Sequence, residues 1–135
     1  MHRESMDIRT PGRGFHGITD AVDAVIVRSG IDQGLCHLFI HHTSASLLIT
    51  ENADPDVLVD LETWISALSA DGDPRFRHTD EGPDDMSAHI RTLLTETQLT
   101  VPVEGKRLAL GTWQGIYVWE HRSHPHARRV SVSVT

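Results

Sequence analysis

Hydrophobic spacing along the chain switches between two periods, and each switch marks an element. Residues 4–10 alternate polar and apolar side chains and predict a short strand, closed by a turn at Pro11-Gly12-Arg13-Gly14. From Thr19 the period lengthens. Ala21, Val22, Val25 and Ile26 recur at helical intervals, with Thr19 or Asp20 as cap and Gly30 as the stop. Residues 34–43 return to alternation. Cys36, Leu38, Ile40, His42 and Ser44 fall on one face, and His37, Phe39, His41 and Thr43 on the other. The first set is the more apolar and is expected to face the core, with His42 at its end. A break near Ser44-Ala45 precedes a second strand over residues 46–51.

Asn52–Pro55 reads as a turn, with Asp54 as helix cap and Pro55 at the first helical position. Val57, Leu58, Leu61, Trp64, Ile65 and Leu68 then form one apolar stripe, so a helix is expected over residues 55–70. Residues 71–83 are a polar loop containing His78. Met86, His89, Ile90, Leu93 and Leu94 share a helical face, which directs His89 inward or along the core edge. From Gln98 onward the pattern is β. A strand over 99–103, a Glu104-Gly105 turn and a strand over 106–110 predict a hairpin; further strands follow at 115–119 and around Val130, Val132 and Val134. Helices early and a β meander late predict an α+β fold in a single domain spanning residues 1–135.

Composition narrows the function classes. The 135 residues are 39% hydrophobic but hold only three Trp, three Phe and one Tyr, so aliphatic side chains must build most of the core. A net charge of -7 argues against general affinity for nucleic acid or an anionic membrane. The single cysteine, Cys36, excludes an internal disulfide and an all-cysteine metal site, and its apolar surroundings predict a small buried hydrophobe. No long apolar segment follows the first residues, which predicts neither signal peptide nor membrane span and a cytoplasmic location. Acidic residues crowd 51–85, whereas the segment from His121 carries Arg122, Arg128, Arg129 and three histidines. On charge alone these are two solvated faces of opposite sign.

Candidate chemistry rests on three imidazoles. A histidine on an apolar strand face is usually a core residue bonded to backbone, and a loop histidine is usually a surface group. What favours a metal is the coincidence of His42 and His89, both expected at the core edge, with His78 in the loop before the second helix. Three neutral imidazoles suit zinc and leave one coordination position open. Asp80, Glu81, Asp84, Asp85 and Ser44 are available to orient the rings. Asp84 and Asp85 are more simply read as solvated acids at a helix N-terminus. In the second constellation, residues 111–122, Gly111 and Gly115 permit close backbone approach. Glu120 is either a general acid or base or an ion-pair partner of Arg122 or Arg129. Trp113 either stacks on a flat heterocycle or packs the core.

Gly-Thr-Trp-Gln-Gly-Ile at 111–116, Glu-His-Arg at 120–122, His-Thr-Ser-Ala-Ser-Leu at 42–47, Glu-Asn-Ala-Asp-Pro at 51–55 and the stretch from His78 to His89 together resemble the YjbQ-like proteins, also called the secondary thiamine-phosphate synthase family. Arg13-Gly-Phe15 also fits, while Ser87 stands where the family pattern has proline. The resemblance covers nearly the whole chain. It implies packed β-sheets with helices on one side and a homotrimer. It further implies a divalent metal held by the histidines matching His42, His78 and His89, with zinc favoured by the imidazoles and Mg²⁺ by the reaction. Ser44, Asn52, Asp54, Trp113, Gln114 and Glu120 are implied to line the same cleft, with Glu120 and Ser44 in catalytic roles. The implied activity joins hydroxymethylpyrimidine diphosphate to a thiazole phosphate with loss of pyrophosphate. Such phosphorylated substrates need a cation such as Arg128 or Arg129. The residues themselves equally allow a zinc-dependent hydrolase of a small phosphorylated or ester substrate, or a trimeric metabolite-binding module without catalysis.

Overall fold

A computed structural model describes every residue from Met1 to Thr135. Its elements run β1 (His2–Thr10), β2 (Gly14–Gly17), α1 (Thr19–Ser29), β3 (Gln33–Ile40), β4 (Ala45–Glu51), α2 (Pro55–Leu68), α3 (Asp85–Leu93), β5 (Gln98–Glu104), β6 (Arg107–Leu108), β7 (Gln114–Glu120) and β8 (His126–Val134). All strand pairs are antiparallel. They form a five-stranded sheet ordered β1-β8-β3-β5-β6 and a three-stranded sheet ordered β2-β7-β4. This is the expected α+β architecture.

Period-two patterning explains the core. Cys36, Leu38 and Ile40 of β3 and Val130, Val132 and Val134 of β8 point inward from adjacent strands. They meet Leu47, Ile116 and Val118 of the smaller sheet and Val22, Val25 and Ile26 of α1 in one apolar cluster. β8 sits between β1 and β3, so the first strand pairs with the last, His2 opposite Val134 and Thr10 opposite His126.

Local departures from expectation have identifiable causes. The strand Gly14–Gly17 was not signalled, because Gly-Phe-His-Gly is too short to show a period. α1 takes Ile18 as N-cap without a side-chain cap; the Thr19 hydroxyl instead accepts the Ile116 N–H at 2.9 Å, tying the helix to β7. β3 stops at Ile40, so His42 lies in the connection to β4 and not on the core face. The hairpin turn falls at Gly105-Lys106, where φ values of 59° and 60° give the left-handed pair that matches the twist of β5 and β6. Asp54 caps α2 as expected, its carboxylate accepting the Asp56 N–H at 2.9 Å.

The largest inversion is in α3. The stripe expected to face the core is at best half-buried: Met86, His89 and Ile90 are partly covered, and Leu93 is 80% exposed and Leu94 53%. The buried face carries Asp85, Ser87, Ala88 and Arg91. Apolar periodicity misled because polar partners on other elements satisfy that face. Arg91 donates to Glu62 and Ser66 of α2, lies over the Trp119 ring, and gives its Nε–H to His121 Nδ1 at 3.1 Å. Ser87 is used too. The buried Ser87 hydroxyl donates to Asp71, which holds Arg13 in a bidentate pair at 2.7 and 3.0 Å.

Candidate metal centre

The loop before α3 is closed by the Gly72 N–H donating to Pro83 O at 2.9 Å. Asp84 and Asp85 open the helix. They are not solvated acids, since both are buried. Arg122, just beyond β7, reaches across to them. Its Nη1 donates to Asp85 Oδ1 at 2.7 Å, its Nε to Asp84 Oδ2 at 3.1 Å, and its Nη2 to Glu81 O at 2.8 Å. Asp84 Oδ2 also accepts the Ser123 N–H at 2.8 Å. Burial opposes ionisation of Asp84, but these donors outweigh it and hold its carboxyl well below the usual carboxylate range.

Asp85 Oδ1 is held by Arg122, and its Oδ2 faces two imidazoles, His78 Nε2 at 2.6 Å and His89 Nε2 at 3.2 Å. Asp85 and His89 are four residues apart on one helix face, and the loop brings His78 above them, the rings 5.5 Å apart. One potential ligand atom from each residue lies within 4.8 Å of the others. Two imidazoles and a carboxylate are a donor set that suits zinc with one position open, and they suit Mg²⁺ poorly, because Mg²⁺ prefers oxygen ligands and water.

His42 is placed differently from the other two histidines. It borders a cavity of about 430 Å³ together with His89, Thr43, Thr92, Leu93, Thr95 and Thr97. Its Nε2 accepts the Arg129 N–H at 2.7 Å. The neutral ring then carries its proton on Nδ1 and has no lone pair left for a metal. Burial, aided by Arg128, disfavours its protonation. Asp85, and not His42, is the third residue gathered with His78 and His89. The spacing Asp85-x-x-x-His89 is the sequence signal for it, masked by the expectation that Asp85 is a solvated acid at the helix N-terminus.

Glu120 is completely buried. Arg128 grips both its oxygens, Nε donating to Oε1 at 2.8 Å and Nη2 to Oε2; Thr10 donates to Oε1, and the Arg122 N–H to Oε2 at 3.2 Å. Burial would raise its carboxyl, but the Arg128 and Thr10 hydrogen bonds prevail and lower it. A carboxylate so saturated is an ion-pair partner. Of the two readings of Glu120, the structure favours pairing, with Arg128 as the partner in place of Arg122 or Arg129. Ser44 joins the same network, its Oγ accepting from Arg128 Nη2 at 3.0 Å.

Asn52 and Gln114 brace the turn before β7. Asn52 Nδ2 donates to Thr112 O and Gln114 O, and Gln114 Oε1 accepts the Gly111 N–H at 2.8 Å. Trp113 is exposed on that turn. This end of the small sheet lies opposite Ser44 and Glu120: Glu51 pairs with Gln114, and Ala45 with Glu120. Six residue steps separate the ends, about 20 Å at about 3.4 Å per step. Arg129 is exposed beside Asp7 across the β1–β8 pair. Within one chain, then, Asn52, Asp54, Trp113 and Gln114 do not share a cleft with the histidines.

The family described as "UPF0047 protein YjbQ-like" matches residues 4–135. The chain belongs to the YjbQ-like family. It is similar to the UPF0047 protein sll1880 of Synechocystis sp., 49% identical over 135 residues that cover 100% of this chain and 92% of that protein. It is 38% identical to the UPF0047 protein YjbQ of Escherichia coli O157:H7 over 130 residues, covering 96% and 94%. Among solved structures, an uncharacterised conserved YjbQ/UPF0047 protein of Clostridium acetobutylicum superposes with a TM-score of 0.89 at 32% identity, covering 98% and 99%. A conserved hypothetical protein of Thermus thermophilus gives 0.88 at 36% identity, covering 98% and 99%. This YjbQ-like chain contains no helix long and apolar enough to cross a membrane.

His121, of the Glu120-His121-Arg122 run, is fully buried. Its Nε2 pairs with Ser46 Oγ at 2.8 Å, and its Nδ1 accepts from Arg91. Burial, reinforced by Arg91, depresses its pKa from 6.5 to about 2. Above pH 6.5 the ring is neutral folded or unfolded, and it adds no pH dependence. Below 6.5 the unfolded chain takes up a proton that the folded chain refuses, so stability falls by about 1 kcal/mol per pH unit. Urea midpoints from pH 7.5 to 4.5 should decline more steeply for the wild type than for His121→Gln. Parallel curves would show that His121 does not carry this dependence.

Proposed function

We propose that this YjbQ-like chain is a zinc-dependent hydrolase whose metal is held by His78, Asp85 and His89. The observation that carries the proposal is the convergence of two imidazole nitrogens and a carboxylate oxygen within 4.8 Å, beside the cavity bordered by His42 and His89. When bound, zinc supplies a Lewis acid and a water acidic enough to ionise near neutral pH. Arg122 fixes the Asp85 carboxylate, leaving Oδ2 toward the imidazoles. His42 keeps its Nδ1–H as a donor at the cavity wall. The thiamine-phosphate synthase activity implied by the resemblance draws less support. Releasing pyrophosphate calls for free cations, whereas Arg128 is engaged by Glu120 and no Lys or Arg lines that cavity.

The test is elemental analysis of purified protein followed by assay on a panel of carboxylic and phosphate esters. About one zinc per chain, with ester turnover lost in His89→Ala, is the expected result. Stoichiometric zinc without turnover on any ester would leave a metal-binding module and remove the hydrolase reading.

The homotrimer implied by the resemblance belongs to the same proposal. Its support is α2, where Trp64 is 66% exposed, Val59 60% and Leu68 55%, and only Ile65 is buried. A helix with this much uncovered apolar surface is the kind that seats on another subunit. Only an assembly can bring the Trp113 end of the small sheet to the histidines. Trp64→Glu should lower the mass seen by light scattering to that of one chain while the circular dichroism spectrum stays unchanged. An unaltered mass would remove α2 from the interface.

A further inference from the structure

A second cavity, of about 360 Å³, lies on the loop side of the metal centre, with His78 as one wall. Phe76, Pro74 and Pro83 supply its apolar surface, and Gly72 and Gly82 leave it open. Both glycines hold left-handed backbone, at φ 67° and 97°. A Cβ on Gly72 would reach the Pro83 ring at 3.7 Å, and one on Gly82 would stand 3.4 Å from Asp84 Oδ1. The walls are braced from within. The Gly72 N–H donates to Pro83 O at 2.9 Å, the Phe76 N–H to Asp73 O at 3.0 Å and the Gly82 N–H to Thr79 O at 3.2 Å.

The charge of the lining is as informative as its shape. No Lys or Arg lines the cavity. Its carboxylate, Asp73, is already bidentate to Arg75, with Nη2 at 2.6 Å and Nε at 3.0 Å, and accepts the Arg75 N–H at 2.9 Å. A phosphate or carboxylate entering here would meet a carboxylate already paired to Arg75 and no Lys or Arg in the lining, whereas an uncharged flat group would meet an aromatic ring and two prolines. The volume is at the small end of ligand pockets, enough for one ring-sized group.

From the shared His78 wall and a lining that holds no cation and whose one carboxylate is already paired, we infer that the Phe76 cavity is a substrate subsite. It seats an uncharged aromatic or compact apolar group of a substrate whose scissile carbonyl lies at the metal centre. The inference rests on the zinc reading and adds to it a substrate class: esters or amides with an uncharged ring next to the bond that breaks.

Two simple zinc-binding probes separate the questions. Acetohydroxamate and benzohydroxamate share a metal-binding head and differ by a methyl against a phenyl group. Zinc-loaded protein should bind benzohydroxamate about tenfold more tightly by calorimetry, as expected for burying one ring. In Phe76→Ala that preference should vanish while acetohydroxamate affinity stays the same, which also shows that the variant is folded and metal-loaded. Equal affinities in the wild type, or a preference that survives Phe76→Ala, would overturn the subsite. A chain that holds zinc but binds neither probe would overturn it as well. A chain that takes up no zinc would instead overturn the metal centre on which the subsite rests. Light scattering on Phe76→Ala should give the wild-type mass; a smaller mass would identify the cavity as a subunit contact and end the proposal.

Discussion

Asp85→Asn is expected to bring bound zinc from about one ion per chain to a small fraction of that after dialysis, as read by elemental analysis. The substitution keeps size and shape and removes the charge. An amide oxygen is a weak zinc ligand. The amide must also replace a carboxylate that serves Arg122 through Oδ1 and both imidazoles through Oδ2. Altering groups that merely orient ligands costs 10–100-fold in metal affinity, so losing a charged ligand should cost at least about that much. Arg122→Gln makes an informative companion. It leaves all three candidate ligands in place and frees Asp85 Oδ1, and affinity should fall while stoichiometry at saturating zinc is retained. If Asp85→Asn kept its zinc with wild-type affinity, the centre would have to be built from other residues.

Glu120→Ala is expected to act on stability. It strands the Arg128 guanidinium in the protein interior with Ser44 as its remaining side-chain partner. Removing one member of a buried pair typically costs about 3–5 kcal/mol. For a domain of this size that lowers Tm by roughly 10–20 °C in a calorimetric scan. The double variant Glu120→Leu, Arg128→Met should recover most of the loss, because two apolar side chains of similar volume leave no charge without a partner. A catalytic Glu120 predicts the reverse: loss of turnover at unchanged Tm. That outcome would restore the general acid–base role and refute the ion-pair assignment.

Sequence patterning located most elements because alternation and helical spacing are direct images of one-sided burial. Cys36, Leu38 and Ile40 announced β3, and Asp54-Pro55 announced the start of α2. It failed where burial is polar. Arg91 and Asp85 face inward because Glu62, His121 and Arg122 arrive from distant elements to satisfy them, and a hydrophobic period cannot register that. The site was legible in part. His78 and His89 meet as expected, since a short loop and one helix bring them together. His42 does not join them, because β3 ends early and the Arg129 N–H occupies its Nε2. Ser44 and Glu120 share a network but point to stability. The turn at residues 111–115, part of the resemblance, lies at the far end of the small sheet.

The pairing of β1 with β8 has a consequence for how the chain comes to be folded. On the ribosome, β1 is finished first and its partner last, so the strand waits through the synthesis of nearly the whole domain with its edge unpaired. β3 waits similarly for one of its two neighbours. The large sheet therefore closes late, after β8 is made. Contacts so distant in sequence favour slow folding and a period in which exposed strand edges invite association between nascent chains. Alternate charges and polar groups on the outer face of β1, Arg3, Ser5, Asp7 and Arg9, sit where they would blunt that association during the wait.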